Sequence, residues 1–539
     1  MLQPTTMSST HIPYSETGYF SKTVCDYLAQ NESIKPFSGR FPSLDKLQDQ
    51  IADKQKFKTL DASWRAALSS AVESSYGDSP LSEATAENIS ALKQDNTFTI
   101  TTGHQLNLFT GPLYFLYKIV SVINFCRQAT QRYPNYNFVP VYWMATEDHD
   151  FDEINYFNFK GSKISWNREA GGAVGDLNTQ GLDQVYEVIE AATGNSDHAK
   201  AIQQLFKEAY LNHNDLASAT LHLANAIFAE EGLVIVDGND RALKQAFIPY
   251  AKKELLEQTG FNSITETTGR LVAAGYKEQV HPREINLFYL ADGLRERIIQ
   301  DGDAYRINNT ELVFDREEIL AKLDSEPERF SPNALLRPLY QEVILPNLCY
   351  IGGGGELAYW LQLKDYFKAV EVPMPMLMLR NSALLISEKQ QKKINKLDLS
   401  VKDIFKKQLD LTNFLVEKHT ELPLDFSQQK DHLKKQFEQL YELAKQTDPT
   451  FLGAVGAQEK KQLNGLDNLE KRMRRAEKRN HKDRIDRVLA LRTQLFPGES
   501  LQERNTNFAE FYLEYGPDLI KVLLKELDPF KSEFLVVCL

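Results

Sequence analysis

Residues 97–120 read TFTITTGHQLNLFTGPLYFLYKIV, and this stretch decides the fold. The β-branched run Thr97–Thr102 is a strand, with Thr, Phe and Ile suited to a pleated, buried surface. It is followed by Gly103, His104 and Gln105, then a Gly111-Pro112 pair that closes a turn. From Leu113 to about Gln128, Leu116, Val120 and Ile123 share one face of a helix. A short strand feeding a helix is the half-unit of a parallel sheet. Polar residues crowd its carboxyl end, the edge at which open α/β sheets bind ligands.

The same alternation recurs as far as residue 385. NFVPVYWMAT (137–146) is a strand running into EDHDFDEI, and GLVIVDGND (232–240) is a strand before a helix from about Leu243 to Gln258. NLCYIGGGGE (347–356) is a strand meeting a glycine-rich turn, and MPMLMLRNSA (374–383) is another strand. Short apolar strands, each feeding a helix, predict an α/β fold, a Rossmann-like parallel-sheet core over residues 1–384. Two stretches read as insertions: about 157–230, mostly helical, and about 285–330, which opens as a β-meander with Asp-Gly turns.

Beyond residue 385 the chain becomes rich in Lys, Gln, Leu and Glu. Leu433, Phe437, Leu440 and Ala444, and then Leu466, Leu469, Met473 and Ala476, step by threes and fours. This spacing predicts an antiparallel coiled-coil hairpin over 385–497, turning within 447–457, suited to dimerisation or to use as a lid. Residues 498–539 are expected to pack back on the core.

The 539 residues carry a net charge of −12 and are 42% hydrophobic, an ordinary globular composition that gives no support for nucleic-acid binding. The N-terminus lacks the basic start and apolar core of a signal peptide, and no apolar run reaches the length of a membrane helix. Cys25, Cys126, Cys349 and Cys538 are far apart and form no CxxC pair. They read as buried reduced thiols of a cytoplasmic protein.

Several groups are candidates for chemistry. Thr101, Thr102, Gly103 and His104 offer hydroxyl, ring and close backbone to an anion, with Gln105, Asn107 and Lys118 nearby. Glu147, Asp148, His149 and Asp150 follow a strand. They suit a divalent cation, a substrate ammonium or a general base. Gly353 and Gly354 suggest close ligand approach, and Glu356 an acceptor for ribose hydroxyls. This spacing is neither GxGxxG nor a P-loop. Arg337 and Gln341 are four apart and would share a helix face; Arg380 and Ser382 sit at a strand end. Either arginine suits a carboxylate or phosphate. The basic run 471–487 reads as a solvated helix face or an anion surface.

TTGHQLNLFTGPLYFLYKI, PVYWMATEDHDFDEIN, SPNALLRPLYQEVILPNLCYIGGGGELAYW and LQERNTNFAEFYLEYG, in this order over residues 101–516, strongly resemble the BshC family. That family is assigned the cysteine-adding step of bacillithiol biosynthesis. The resemblance implies a Rossmann-type core with insertions and a coiled coil that makes a homodimer. It also implies an amide-forming ligase joining L-cysteine to glucosaminyl-malate. The fold kinship extends to nucleotidylyl transferases and class I aminoacyl-tRNA synthetases, whose (H/T)xGH signature fits Thr101-x-Gly103-His104. Their KMSKS signature has no match; LRNSA occupies its place without the lysines. Amide formation needs an activated cysteine carboxylate, so ATP or another nucleotide is the expected co-substrate, with a metal left open. Thr102 and His104, with Arg380, would steady phosphate charge. Glu147, Asp148 or His149 would take the amine's proton. The competing readings are a nucleotidylyl transferase, a metal-dependent hydrolase using EDHD, and a non-catalytic nucleotide-binding scaffold.

Overall fold

The computed structural model describes residues 9–77 and 79–539. The reading of the N-terminus rests in part on residues 1–8, which lie outside the described residues. The chain forms two compact units: 1–385 with 500–537, and 386–499 with 538–539.

The first unit is built on a five-stranded sheet. In chain order its strands are β1 (Thr97–His104), β2 (Asn137–Met144), β3 (Val234–Asp237), β4 (Asn347–Gly352) and β5 (Met376–Leu379). All neighbouring pairs are parallel, in the order β3-β2-β1-β4-β5. The chain therefore winds outward from β1 in one direction, returns, and winds outward from β4 in the other. The switch point lies between β1 and β4, and a doubly wound sheet opens its ligand crevice there.

β1 is buried along its whole length, so both of its faces must be satisfied. Phe98 and Ile100 face an apolar layer with Val122 and Phe125 of helix α1 (Tyr114–Arg132) and with Leu348 and Ile351 of β4. Thr99 and Thr101 face the other way, and both donate to the Asn347 Oδ1, at 3.3 and 2.9 Å. Buried hydroxyls cost little when each has a partner.

Three local readings change. β1 continues through Gly103 and His104, which pair with Trp143 and Met144 of β2, so the turn starts only at Gln105. In that turn Phe109, Thr110 and Gly111 all have positive φ, and a Cβ on Gly111 would stand 2.6 Å from the Asn107 Cβ. A glycine is required there. The 374–383 strand breaks at Arg380: β5 ends at Leu379, and Ala383–Ile386 joins Ser9–Pro13 and Glu533–Cys538 in a separate sheet. The helix expected over 243–258 is two, Arg241–Gln245 and Ile248–Glu257, the second opening with a proline in its first turn.

The 157–230 stretch begins as a hairpin, Tyr156–Phe159 with Ser162–Ser165, before three helices. The meander Leu287–Ala291, Leu294–Asp301, Ala304–Ile307 and Val313–Phe314 is completed by Phe330–Pro332 on its other edge. Cys126 and Cys349 are buried, whereas Cys25 and Cys538 are half-buried; all four are free thiols.

In the second unit, Ser427–Ala444 and Pro449–Asn480 run antiparallel. Tyr441 bonds Glu459, and Lys430 reaches Asp467 and Glu470. Partner numbers that fall as the other set rises require this direction. The turn is tighter than expected, because Asp448 caps the second helix and Gly453 and Gly456 lie inside it. Leu433, Phe437 and Ala444 pack with Val455 and Leu452. The rest of the expected seam does not all turn inward: Leu440 and Leu469 are 42% and 52% exposed. Part of the basic run is paired within this unit, Arg474 with Glu417 and Lys482 with Asp486.

Candidate active site

A cavity of about 800 Å³ lies beyond the carboxyl ends of β1, β2 and β4 and is also lined by residues of the inserted meander. Its floor is tied together by Lys118, from the first turns of α1. The Lys118 ammonium donates to the Gly103 carbonyl at 2.6 Å and pairs with the Glu356 carboxylate at 2.7 Å. Glu356 lies in the first turn of helix α2 (Gly354–Trp360). There it accepts from the Gly353 N–H and from the Tyr350 hydroxyl, at 2.7 and 2.6 Å. Burial pushes the Glu356 carboxyl up, but Lys118 and these two donors outweigh it and hold it below the usual range. Burial draws the Lys118 ammonium down against the pull of Glu356. The TTGH and GGGGE segments thus meet at one crevice, linked through one side chain.

The glycines here serve packing as well as approach. A Cβ on Gly103 would stand 3.0 Å from the Tyr350 hydroxyl and 3.6 Å from Arg337 Nη1. One on Gly352 would stand 2.9 Å from the Tyr350 ring, and one on Gly354 3.1 Å from Val24. Gly353 faces Glu356 and Arg380, whose Nε would be 3.8 Å from a Cβ there.

Arg337 enters from the helix Arg337–Ile344 and is held from below. Its Nη1 donates to Gln341 Oε1 at 3.0 Å. Gln341 donates in turn to Glu342, which accepts from Asn347 and pairs with Lys54 at 3.1 Å. Thr101 joins the same buried network through Asn347. Gln341 and Thr101 therefore do not line the cavity; they belong to the scaffold that fixes Arg337, a correction to their expected contact with ligands. Arg337 itself lines it.

Arg380 is also largely committed. Its Nη2 donates to Glu503 at 2.8 Å and its Nη1 to the Asn381 carbonyl and Ser382 Oγ. Ser382 donates to Glu503 as well and lies away from the cavity. Of the Arg380 nitrogens, Nε alone is buried without a partner, and Arg380 lines the cavity. Thr102 donates its hydroxyl to the Ile351 carbonyl at 2.7 Å, a cross-strand bond, and it too is absent from the lining.

His104 lines the cavity wedged between Tyr114 and Phe115, with ring centroids 5.4 and 5.0 Å away. Burial and the neighbouring Lys118 ammonium push its pKa down to about 3, so the ring is neutral at physiological pH. The ring donates to the Thr110 carbonyl, and Nε2 is buried without a partner. A neutral imidazole that donates through one nitrogen accepts through the other. His104 therefore offers a lone pair to an N–H or O–H, rather than the proton expected for a phosphate oxygen.

The acidic run separates into four environments. Glu147 lines the cavity but is paired with the fully buried Lys244, which also donates to the Phe330 carbonyl at 2.9 Å. Asp148 accepts from Gln105 Nε2 at 2.9 Å and from the His149 N–H at 2.8 Å. Burial raises its carboxyl, but His149, Gln105 and the Arg295 charge hold it far below the usual range. His149 Nδ1 receives an N–H from Arg295 at 2.7 Å; a guanidinium can only donate, so Nδ1 is the acceptor and the ring proton is on Nε2. Asp150 flanks the short helix Phe151–Ile154, exposed and outside the lining. Asn107 donates to the Glu153 carbonyl at 3.3 Å and also lies outside it. As a base, Asp148 is thus too acidic and His149 has its lone pair occupied. Among the described residues no group of three His, Cys, Asp or Glu side chains converges as a metal site.

Sequence reasoning missed Lys244, Asp237, Tyr350, Glu503 and the meander arginines. Asp237 accepts from Thr146 and from the Asn239 N–H, and burial raises its pKa to about 6. It ends a strand, as Asp148 nearly does, and that position was its available signal. Glu503 had none: it lies 123 residues from Arg380 in sequence.

Family models match both parts of the chain: the N-terminal Rossmann-like domain of the bacillithiol biosynthesis protein BshC over residues 7–381, and its C-terminal coiled-coil domain over 383–539. A Flavobacterium johnsoniae protein named "Putative cysteine ligase BshC" is 53% identical over 526 residues, covering 98% of this chain and 99% of the relative. One of the same name from Christiangramia forsetii is 50% identical over 98% and 99% of the two chains. Another, from Salinibacter ruber, is 30% identical over 85% and 86%. The chain belongs to the BshC family of bacillithiol biosynthesis, with the Rossmann-like core and coiled-coil domain that define it.

Proposed function

We propose that the protein is a cytoplasmic ligase that forms the amide between L-cysteine and glucosaminyl-malate, with ATP or another nucleotide activating the cysteine carboxylate. The observation that carries this reading is the switch-point crevice. It brings cationic groups for carboxylates and phosphates together with a carboxylate held ionised and an unpaired imidazole nitrogen. Each substrate of such a reaction carries both an anionic group and an amine. The relatives named cysteine ligase align over nearly the whole chain.

The residues divide the work by charge. Lys118 and the free Nε of Arg380, beside the close backbone at Gly103 and Gly353, suit phosphate oxygens. Such preorganised donors stabilise charge as it develops on the activated carboxylate. Asp148, permanently anionic, suits an ammonium. His104 Nε2 accepts an N–H of the attacking amine and orients its lone pair toward the acyl carbon. The C–N bond forms as the C–O bond to the phosphoryl group breaks, and the amine's proton leaves to solvent or to the departing phosphate. We read the coiled-coil hairpin as a homodimer contact, since Leu440, Leu443 and Leu469 are exposed on it. ATP consumption measured with each substrate omitted in turn tests the reading. A ligase consumes ATP for product only when cysteine and glucosaminyl-malate are both present; metal-dependent turnover without amine would instead identify a hydrolase.

A further inference from the structure

The positive charge of the cavity is unevenly compensated. On the sheet side Lys118 is paired with Glu356, Arg380 with Glu503 and Lys244 with Glu147, and Arg337 is held by Gln341 and the Tyr359 hydroxyl. On the inserted meander, Arg295 and Arg297 stand two apart on the strand Leu294–Asp301 and both line the cavity. Residues two apart on a strand project from the same face, about 7 Å apart. Among the described residues neither has a carboxylate within ion-pair distance. Arg295 is held by neutral groups, Ser331 Oγ at 3.3 Å, the Pro332 carbonyl at 3.5 Å, His149 Nδ1, and the Phe288 ring at 4.1 Å, while the Glu147 and Asp148 carboxylates act on it only from beyond ion-pair distance. Arg297 Nε is buried with no partner at all. A buried donor without an acceptor is costly, so this wall is built for an anion that arrives from outside.

We propose that Arg295 and Arg297 form a dicarboxylate subsite that grips the malate end of the acceptor substrate. The identity of the acceptor rests on the ligase reading. Two guanidinium groups at this spacing match two carboxylates on a two-carbon spine: Arg297, whose Nε is free, takes one in a bidentate grip, and Arg295 offers the other its charge and the one Nη1 N–H that Ser331, Pro332 and His149 leave over. Phosphates are better served across the cavity, where Gly103 and Gly353 let the backbone approach. Docked this way, the acceptor lies beside Asp148 and His149, because Arg295 bonds His149 directly.

Calorimetric titration with glucosaminyl-malate reads the subsite without requiring turnover. Arg297→Gln should weaken binding about 10- to 100-fold, and Arg297→Lys, which keeps charge but loses the fork, by less. The dimethyl ester of the malate group, which loses both carboxylates, should bind the wild-type protein more weakly than the diacid binds R297Q, and R297Q should not weaken it further. Matching thermal melts establish that R297Q is folded, and R297K carries the comparison if it is not. Wild-type affinity for the diacid in R297Q, or a loss of ATP affinity with diacid affinity retained, overturns the proposal. Diacid binding through these arginines without amide formation would refute the ligase reading while leaving the subsite. Amide formation with diacid affinity unchanged in R297Q would do the reverse.

Discussion

Replacing Arg380 with Met tests whether this arginine is chiefly scaffold. Its side chain is 4% exposed and that of Glu503 is 1% exposed. Without the guanidinium, Glu503 keeps, among the described residues, only the Ser382 hydroxyl and the Ala383 N–H, at 3.1 and 3.0 Å, and no paired opposite charge. Breaking a buried pair from one side costs about 3–5 kcal/mol. An unpaired buried carboxyl has its pKa raised in the folded state. A folded-state pKa above the unfolded value means the native protein binds more protons, so the penalty is full above that pKa and shrinks as pH falls. The R380M deficit should therefore be larger at pH 8 than at pH 5. Adding Glu503→Leu should recover most of it, because an apolar pair replaces an ion without a partner. Urea titration followed by tryptophan fluorescence reads the first unit alone, since Trp64, Trp143, Trp166 and Trp360 all belong to it. Stability within about 1 kcal/mol of wild type at pH 8, combined with loss of ATP binding, would refute the structural assignment and return Arg380 to the ligand.

Three further outcomes follow from the geometry. Asp237→Asn keeps the acceptor for Thr146 and the Asn239 N–H but removes a carboxyl whose pKa burial raises to about 6. It should stabilise the protein by about 2–3 kcal/mol above pH 7, the gain fading as pH falls through 6 to 4; pH-resolved urea midpoints check this. Asp148→Asn should raise KM for an amine-bearing substrate about 10- to 100-fold, the worth of a charged hydrogen bond, and steady-state kinetics with unchanged KM and kcat would leave Asp148 a turn residue. Leu440→Asp with Leu469→Asp should give monomers by light scattering, since both side chains are exposed on the hairpin; an unchanged dimer mass would move the interface elsewhere.

The alternation of strand and helix was legible because fully buried parallel strands are short and mostly apolar; β2 to β5 read that way, and β1 shows instead as a β-branched run of Thr and Ile with Phe98. The convergence of Gly103 with Glu356 was legible too, since their segments lie at the carboxyl ends of β1 and β4, beside the switch point. Side-chain commitments were not. Thr101, Thr102 and Gln341 carry the same hydrogen-bonding groups whether they face a ligand or a neighbouring strand, and only the register with Asn347 and Ile351 decides. His104 was read as a donor, but its tautomer depends on the Thr110 carbonyl, set by a positive-φ turn that residue types alone do not specify. Arg295 and Arg297 lie in a meander that reads as mere insertion until the sheet packs it against the crevice.

The site's residues and charges converge on amide formation at the switch-point crevice. Its most direct test is to incubate the purified protein with L-cysteine, glucosaminyl-malate and ATP and to measure the product by mass. The cysteinyl amide should form only when all three are present and be lost when Lys118, which ties Gly103 to Glu356, is replaced by Met. No amide from a folded wild-type protein supplied with all three, or full amide formation by a folded K118M variant, would contradict it.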